Sequence, residues 1–102
     1  MDESRFVYLD VETTGIKAHS NAIVEIAASA HGKEFYSRVK PWMLIPKEAS
    51  AIHTIYNKDV EHEDTFEVVG PRFIDWVLNR AGPNPVFVGA YASNHCRIWL
   101  RF

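Results

Sequence analysis

The sequence predicts a small α/β domain in which three strands precede a helix and a further strand. Three observations carry that prediction. Short runs of aromatic and β-branched residues recur, at Phe6-Val7-Tyr8-Leu9, at Ile23-Val24-Glu25-Ile26-Ala27-Ala28 and at Pro85-Val86-Phe87-Val88. A Gly-containing turn, His31-Gly32-Lys33, separates two strand-like segments in the pattern of a hairpin. Apolar residues between Phe66 and Val77 keep helical spacing and stop before Gly82-Pro83.

Taken in order, residues 6–9 read as a buried strand that runs into Asp10 and is broken at Gly15. Residues 22–30 form the second strand and 34–40 the third. In the third, Phe35, Ser37 and Val39 share one face, and Arg38 and Lys40 take the other. Pro41 and Pro46 bracket an irregular stretch, and Ala49 to Tyr56 reads as either a short helix or a loop. Asp64 and Glu67 have capping-box spacing ahead of the helix. Gly70-Pro71 conflicts with that helix: either it kinks there, or it starts at Pro71, where a first-turn proline is favourable. Residues 85–91 suit a buried, parallel strand. Asn94 begins a helix that the chain has no room to complete.

Composition fits one domain spanning residues 1–102. Apolar residues make up 47% of the chain, with six Phe, four Tyr and three Trp, enough for a core. The formal net charge of -2 gives no support to passive coating of nucleic acid, which calls for a basic excess. It is compatible with an enzyme that holds phosphate through metal ions bound by acids. The single cysteine, Cys96, excludes an internal disulfide and points to a reducing compartment. The acidic, polar start Met1-Asp2-Glu3-Ser4-Arg5 is unlike a signal peptide, and no apolar run approaches the ~20 residues of a membrane span. The expected location is intracellular, cytoplasmic or nuclear.

The chemistry concentrates at the end of the first strand. Asp10 and Glu12 lie two apart, so both carboxylates project to the same side. Thr13-Thr14-Gly15 then turns the chain and leaves the pair at a strand end. Adjacent carboxylates repel unless one is protonated or a cation lies between them. Hard oxygen ligands suit Mg²⁺ or Mn²⁺, which bind one or two carboxylates together with substrate phosphate. Gly15 permits close backbone approach to a nucleotide. On spacing alone, solvated acids and metal ligands remain alternatives. Asp10 weighs toward the second, because it continues an apolar run in which an unpartnered acid is costly.

Leu9-Asp10-Val11-Glu12-Thr13-Thr14-Gly15 resembles the first motif of the DEDD, or DnaQ-like, 3′→5′ exonucleases. The resemblance continues in order through Asn21 to Ala27, Val39-Lys40-Pro41, Ile45-Pro46, Ala49 to Ile55, the Phe66 to Leu78 helix and the Val86 to Val88 strand. It implies a ribonuclease H-like mixed sheet, two antiparallel strands plus a central parallel pair, with flanking helices. It also implies that Asp10 and Glu12 are catalytic and ligate Mg²⁺ or Mn²⁺, two ions in a complete family member. The backbone near Thr13, with Thr14 and Gly15, would meet the 3′-terminal nucleotide. Ile16 would wedge against its base, Ile52 and His53 would flank the pocket, and Asn94 would start the second motif. Thr54 stands where the family often has Gly.

The match stops after Asn94. The aspartate of the second motif should fall near Ile98 or Trp99, and no acid follows Asp75. The histidine and aspartate of the third motif are not in these 102 residues. The resemblance therefore implies a C-terminally truncated domain, with at most one weakly held ion and impaired hydrolysis. It also implies a partly uncovered sheet face, and a tail (residues 95–102) whose Ile98, Trp99, Leu100 and Phe102 patch that face or drive self-association. The leading expectation is an exonuclease-type domain acting on the 3′ end of single-stranded DNA or RNA. The alternatives are a non-catalytic module binding nucleic acid or protein, and an inactive truncated product.

Overall fold

The computed structural model describes residues 3–17 and 19–89. Asn94 and the tail from residue 95, to which the sequence assigns substrate contact and self-association, lie outside the described residues. A four-stranded sheet is ordered β3-β2-β1-β4, with β1 spanning Phe6–Thr13, β2 Ile23–Ala30, β3 Lys33–Arg38 and β4 Val86–Val88. Strands β1, β2 and β3 are antiparallel neighbours, and β4 runs parallel to β1 with Phe6 opposite Val86 and Tyr8 opposite Val88. The α/β class and the mixed sheet agree with the sequence. His31 and Gly32 take φ values of 53° and 73°, the two positive values that let a two-residue turn follow the strand twist.

Between β3 and β4 lie α1 (Lys47–His53), α2 (Asn57–Val60) and α3 (Phe66–Ala81). The segment that reads as helix or loop is thus helix through His53. Helix α3 packs on one face of the sheet, where Val69, Phe73 and Val77 meet Val7, Leu9, Val11, Ile26 and Ala28. Phe73 centres an aromatic group, with its ring 5.1 Å from Phe35, 6.2 Å from Trp76 and 6.4 Å from Phe87. Helices α1 and α2 bury a smaller cluster of Ile45, Ala49, Ile55 and Val60 against Val24.

Three sequence expectations need correction. First, β1 is not buried throughout: Val7, Leu9 and Val11 are buried, while Tyr8 and Asp10 are exposed. Its run of four apolar residues conceals an alternation that only the sheet's second face reveals. Second, α3 does not start at Pro71. It begins at Phe66 and continues as helix through Pro71, which is exposed. Third, the N-cap of α3 is Thr65 rather than Asp64. Asp64 instead pairs with Arg72 at 3.1 Å, and its carbonyl accepts the Lys40 N–H. The helix ends at Gly82, whose φ of 78° and hydrogen bond to the Leu78 carbonyl make the expected stop. No helix among the described residues is long and apolar enough to cross a membrane.

Candidate active site

Strand periodicity places Asp10 and Glu12 together on the sheet face opposite α3. Asp10 faces Ala27 across the ladder and borders a shallow depression of about 550 Å³ between Tyr8, Ala27, Tyr36 and Val88. Asp10 is exposed, so solvent rather than a buried partner accommodates its charge; the cost inferred for an acid in an apolar run does not arise. Glu12 is partly buried and lies directly opposite Glu25. Burial first, then the nearby charge of Asp10, raise the pKa of Glu12; His53 acts in the opposite direction, and Glu25 adds the smallest upward push.

Glu25 is the neighbour that the sequence does not announce, because its position depends on strand register. Its carboxylate accepts the Tyr36 hydroxyl at 2.5 Å and lies 3.7 Å from Arg38 Nε. That hydrogen bond raises the pKa of Tyr36. Glu25 is therefore committed to its own partners, whereas Asp10 and Glu12 form no ion pair among the described residues. Immediately after Glu12 the register shifts, pairing Thr13 with Ile23. This bulge sends Ile23 into the larger core and Val24 into the smaller one.

The turn that follows is held by its own side chains. The Thr13 hydroxyl donates to the Gly15 carbonyl at 2.6 Å. Thr14 is buried: its N–H donates to the Ala22 carbonyl, its hydroxyl accepts the Ala22 N–H and donates to Met43 Sδ at 3.2 Å. Thr13 and Thr14 thus shape the turn, with their hydroxyls occupied within the chain. The space beside Gly15 is filled by Asn21, whose amide lies 2.6 Å from where a Cβ would stand, and whose Oδ1 accepts the Lys17 N–H. The glycine admits an asparagine from its own chain.

His53 ties the end of α1 to this strand end. Its Nδ1 accepts the Ile55 N–H at 3.1 Å, which assigns the proton to Nε2, and Nε2 donates to the Thr13 carbonyl at 3.1 Å. Thr54 ends α1 in the left-handed region at φ 60°, a conformation costly for a β-branched residue, with its N–H donating to the Ser50 carbonyl. A glycine at this point would take the same conformation without that cost. Ile16 and Ile52 are 76% and 82% exposed, and both stand beside residues anchored to the strand end.

Among the described residues no three acids, histidines or cysteines converge on one point. The donors still suit a divalent ion. Asp10 and Glu12 offer hard oxygens on one face, the donor type that divalent ions such as Mg²⁺ and Mn²⁺ take.

A sheet of order β3-β2-β1-β4 carries an acid pair toward the end of β1, the strand shared by its antiparallel and parallel pairs, and the chain belongs to the exonuclease family RNase_T, DnaQ-like in type, whose model matches residues 7–92. It is 30% identical over 86 residues to the DNA polymerase III subunit epsilon of Buchnera aphidicola subsp. Schizaphis graminum, covering 74% of this chain and 37% of that one. The zinc-bound E. coli exonuclease I–ssDNA complex superposes with a TM-score of 0.77 at 16% identity, covering 93% of this chain and 22% of that one. Exonuclease X in complex with 5′ overhanging duplex DNA gives a TM-score of 0.59 at 23% identity, covering 82% and 57%. The chain thus spans less than two thirds of each of these three proteins, and at these identities the solved structures establish the fold.

Proposed function

We propose that the chain is a 3′→5′ exonuclease-type domain that holds Mg²⁺ or Mn²⁺ at Asp10 and Glu12 and hydrolyses phosphodiester bonds at the 3′ end of single-stranded DNA or RNA. One observation carries this reading: an acid pair side by side on the sheet face opposite α3, with no ion-pair partner among the described residues, in a chain of the exonuclease family. A bound divalent ion supplies Lewis-acid activation of water and neutralisation of the leaving oxygen. Asp10 and Glu12 position that charge. Glu25, held by Tyr36 and Arg38, limits how far Glu12 can swing, and Ile16 and Ile52 give the terminal base an apolar contact. Since no acid follows Asp75, the 102 residues supply few ligands for a second ion, and hydrolysis by this chain alone is proposed to be weak.

Calorimetric titration with Mn²⁺, paired with a labelled single strand, tests the reading. The expected result is one weak site that Asp10→Ala abolishes, together with metal-dependent loss of 3′ nucleotides that the same substitution removes. Mn²⁺ binding indifferent to both Asp10→Ala and Glu12→Gln would sink it.

A further inference from the structure

We propose, resting on that functional reading, that Trp42 and Leu44 form a stacking platform for bases of a single strand beyond the nucleotide at the carboxylates. Residues 41–45 form an irregular segment, bent at Trp42 and Met43, in which Met43 is partly covered and Ile45 buried while Trp42 is 72% and Leu44 78% exposed. The inward members anchor it. Met43 Sδ accepts the Thr14 hydroxyl, one residue from the acid-bearing strand, and the Ile45 N–H donates to Asn57 Oδ1 at 2.8 Å. The outward pair is thereby held at the same strand end as Ile16 and Ile52.

Three separate segments, around residues 13–16, 42–44 and 52–53, each reach that strand end and each present large apolar side chains to solvent. Clustered exposure of this kind marks a binding surface. Its anchoring through Met43 to Thr14, two residues beyond Glu12, selects the occupant. A strand whose terminal phosphate is at Asp10 and Glu12 and which leaves past the Thr14 turn meets this segment, and an indole stacks on any base through its π face. Exposed Lys40 and Lys47 flank the segment and suit a phosphate backbone. Trp42 is a binding residue for the strand, and Met43 a positioning residue for Trp42.

The test uses the full chain with Mn²⁺, comparing affinities for thymidine 5′-monophosphate and for a short oligothymidylate. Trp42→Ala is expected to weaken the oligomer about five- to a hundredfold more than the monophosphate, the range of one lost base stack. Trp42→Phe should retain most of the affinity, and Leu44→Ala should lose less than Trp42→Ala. If Asp10→Ala abolishes binding of both ligands while Trp42→Ala leaves the oligomer unchanged, the platform is overturned and the functional reading stands. If neither ligand binds the unaltered chain, both fall. Equal weakening of both ligands, or altered sedimentation of the protein with unaltered oligomer affinity, also overturns the platform, the latter by assigning Trp42 to a protein contact.

Discussion

On one face of β1, Val7, Leu9 and Val11 are buried beneath α3; on the other, Tyr8 and Asp10 stand in solvent and Glu12 is only partly covered. The two sets alternate along eight residues, so one backbone fixes both. A carboxylate pair gains its rigidity from the packing behind it. Damage to the covered face should therefore appear as lost stability, and damage to the open face as lost ligand binding.

The sharpest way to break this division is Phe73→Ala, which removes the ring that joins Phe35, Trp76 and Phe87. The expected cost is about 3–5 kcal/mol, measured by urea unfolding. A loss below ~1 kcal/mol would mean that α3 is not the main support of the sheet. Gly89→Ala acts where the faces meet. A Cβ there would lie 2.0 Å from the Leu9 carbonyl oxygen, and Gly89 has φ 154°. The expected destabilisation is about 1–3 kcal/mol. Because Leu9 precedes Asp10, the same variant should weaken Mn²⁺ binding, and an unchanged metal affinity would separate β4 from the site.

Thr54→Gly should work in the opposite direction. Relief of the left-handed strain is expected to raise stability by about 1 kcal/mol, read as a higher Tm. No gain would show that the bond from the Thr54 hydroxyl to the His53 carbonyl compensates for the strain. The smallest stability effect belongs to Glu12→Gln, expected within about 0.5 kcal/mol at neutral pH. Its sign follows from the raised pKa. Above the ordinary 4.5 the folded protein retains the proton longer than the unfolded chain, so ionisation of Glu12 costs stability as pH rises through that window. Glu12→Gln should flatten this slope and slightly stabilise the protein above it. A steeper slope would contradict the sign.

The sequence makes legible what depends on local period and spacing. Two residues apart on a strand places Asp10 beside Glu12 whatever the tertiary fold, and His31-Gly32 marks its own turn. The burial of β1 is less legible, because Phe6 and Tyr8 are apolar on a face that proves open. Pro71 misleads because its cost depends on which side of α3 meets water. Glu25 opposite Glu12 is set by a ladder and a bulge between distant segments, and no local pattern encodes it. Trp42 lies in a proline-bracketed stretch without periodicity. There the available signal is chemical: a large aromatic where neither strand nor helix gives it a place to pack.

Ile23 and Val24 belong to different hydrophobic clusters, the larger under α3 and the smaller under α1 and α2. The clusters therefore need not open together. In hydrogen exchange, amides of α1 and α2 should be released by a local event of lower free energy than the one that releases β1 and β2. Such an event carries away Ile52 and His53 but leaves Asp10 and Glu12 on an intact strand. The bulge at Glu12 and Thr13 thus marks a seam between two cooperative units, with the acid pair on the durable side and half of its apolar rim on the other.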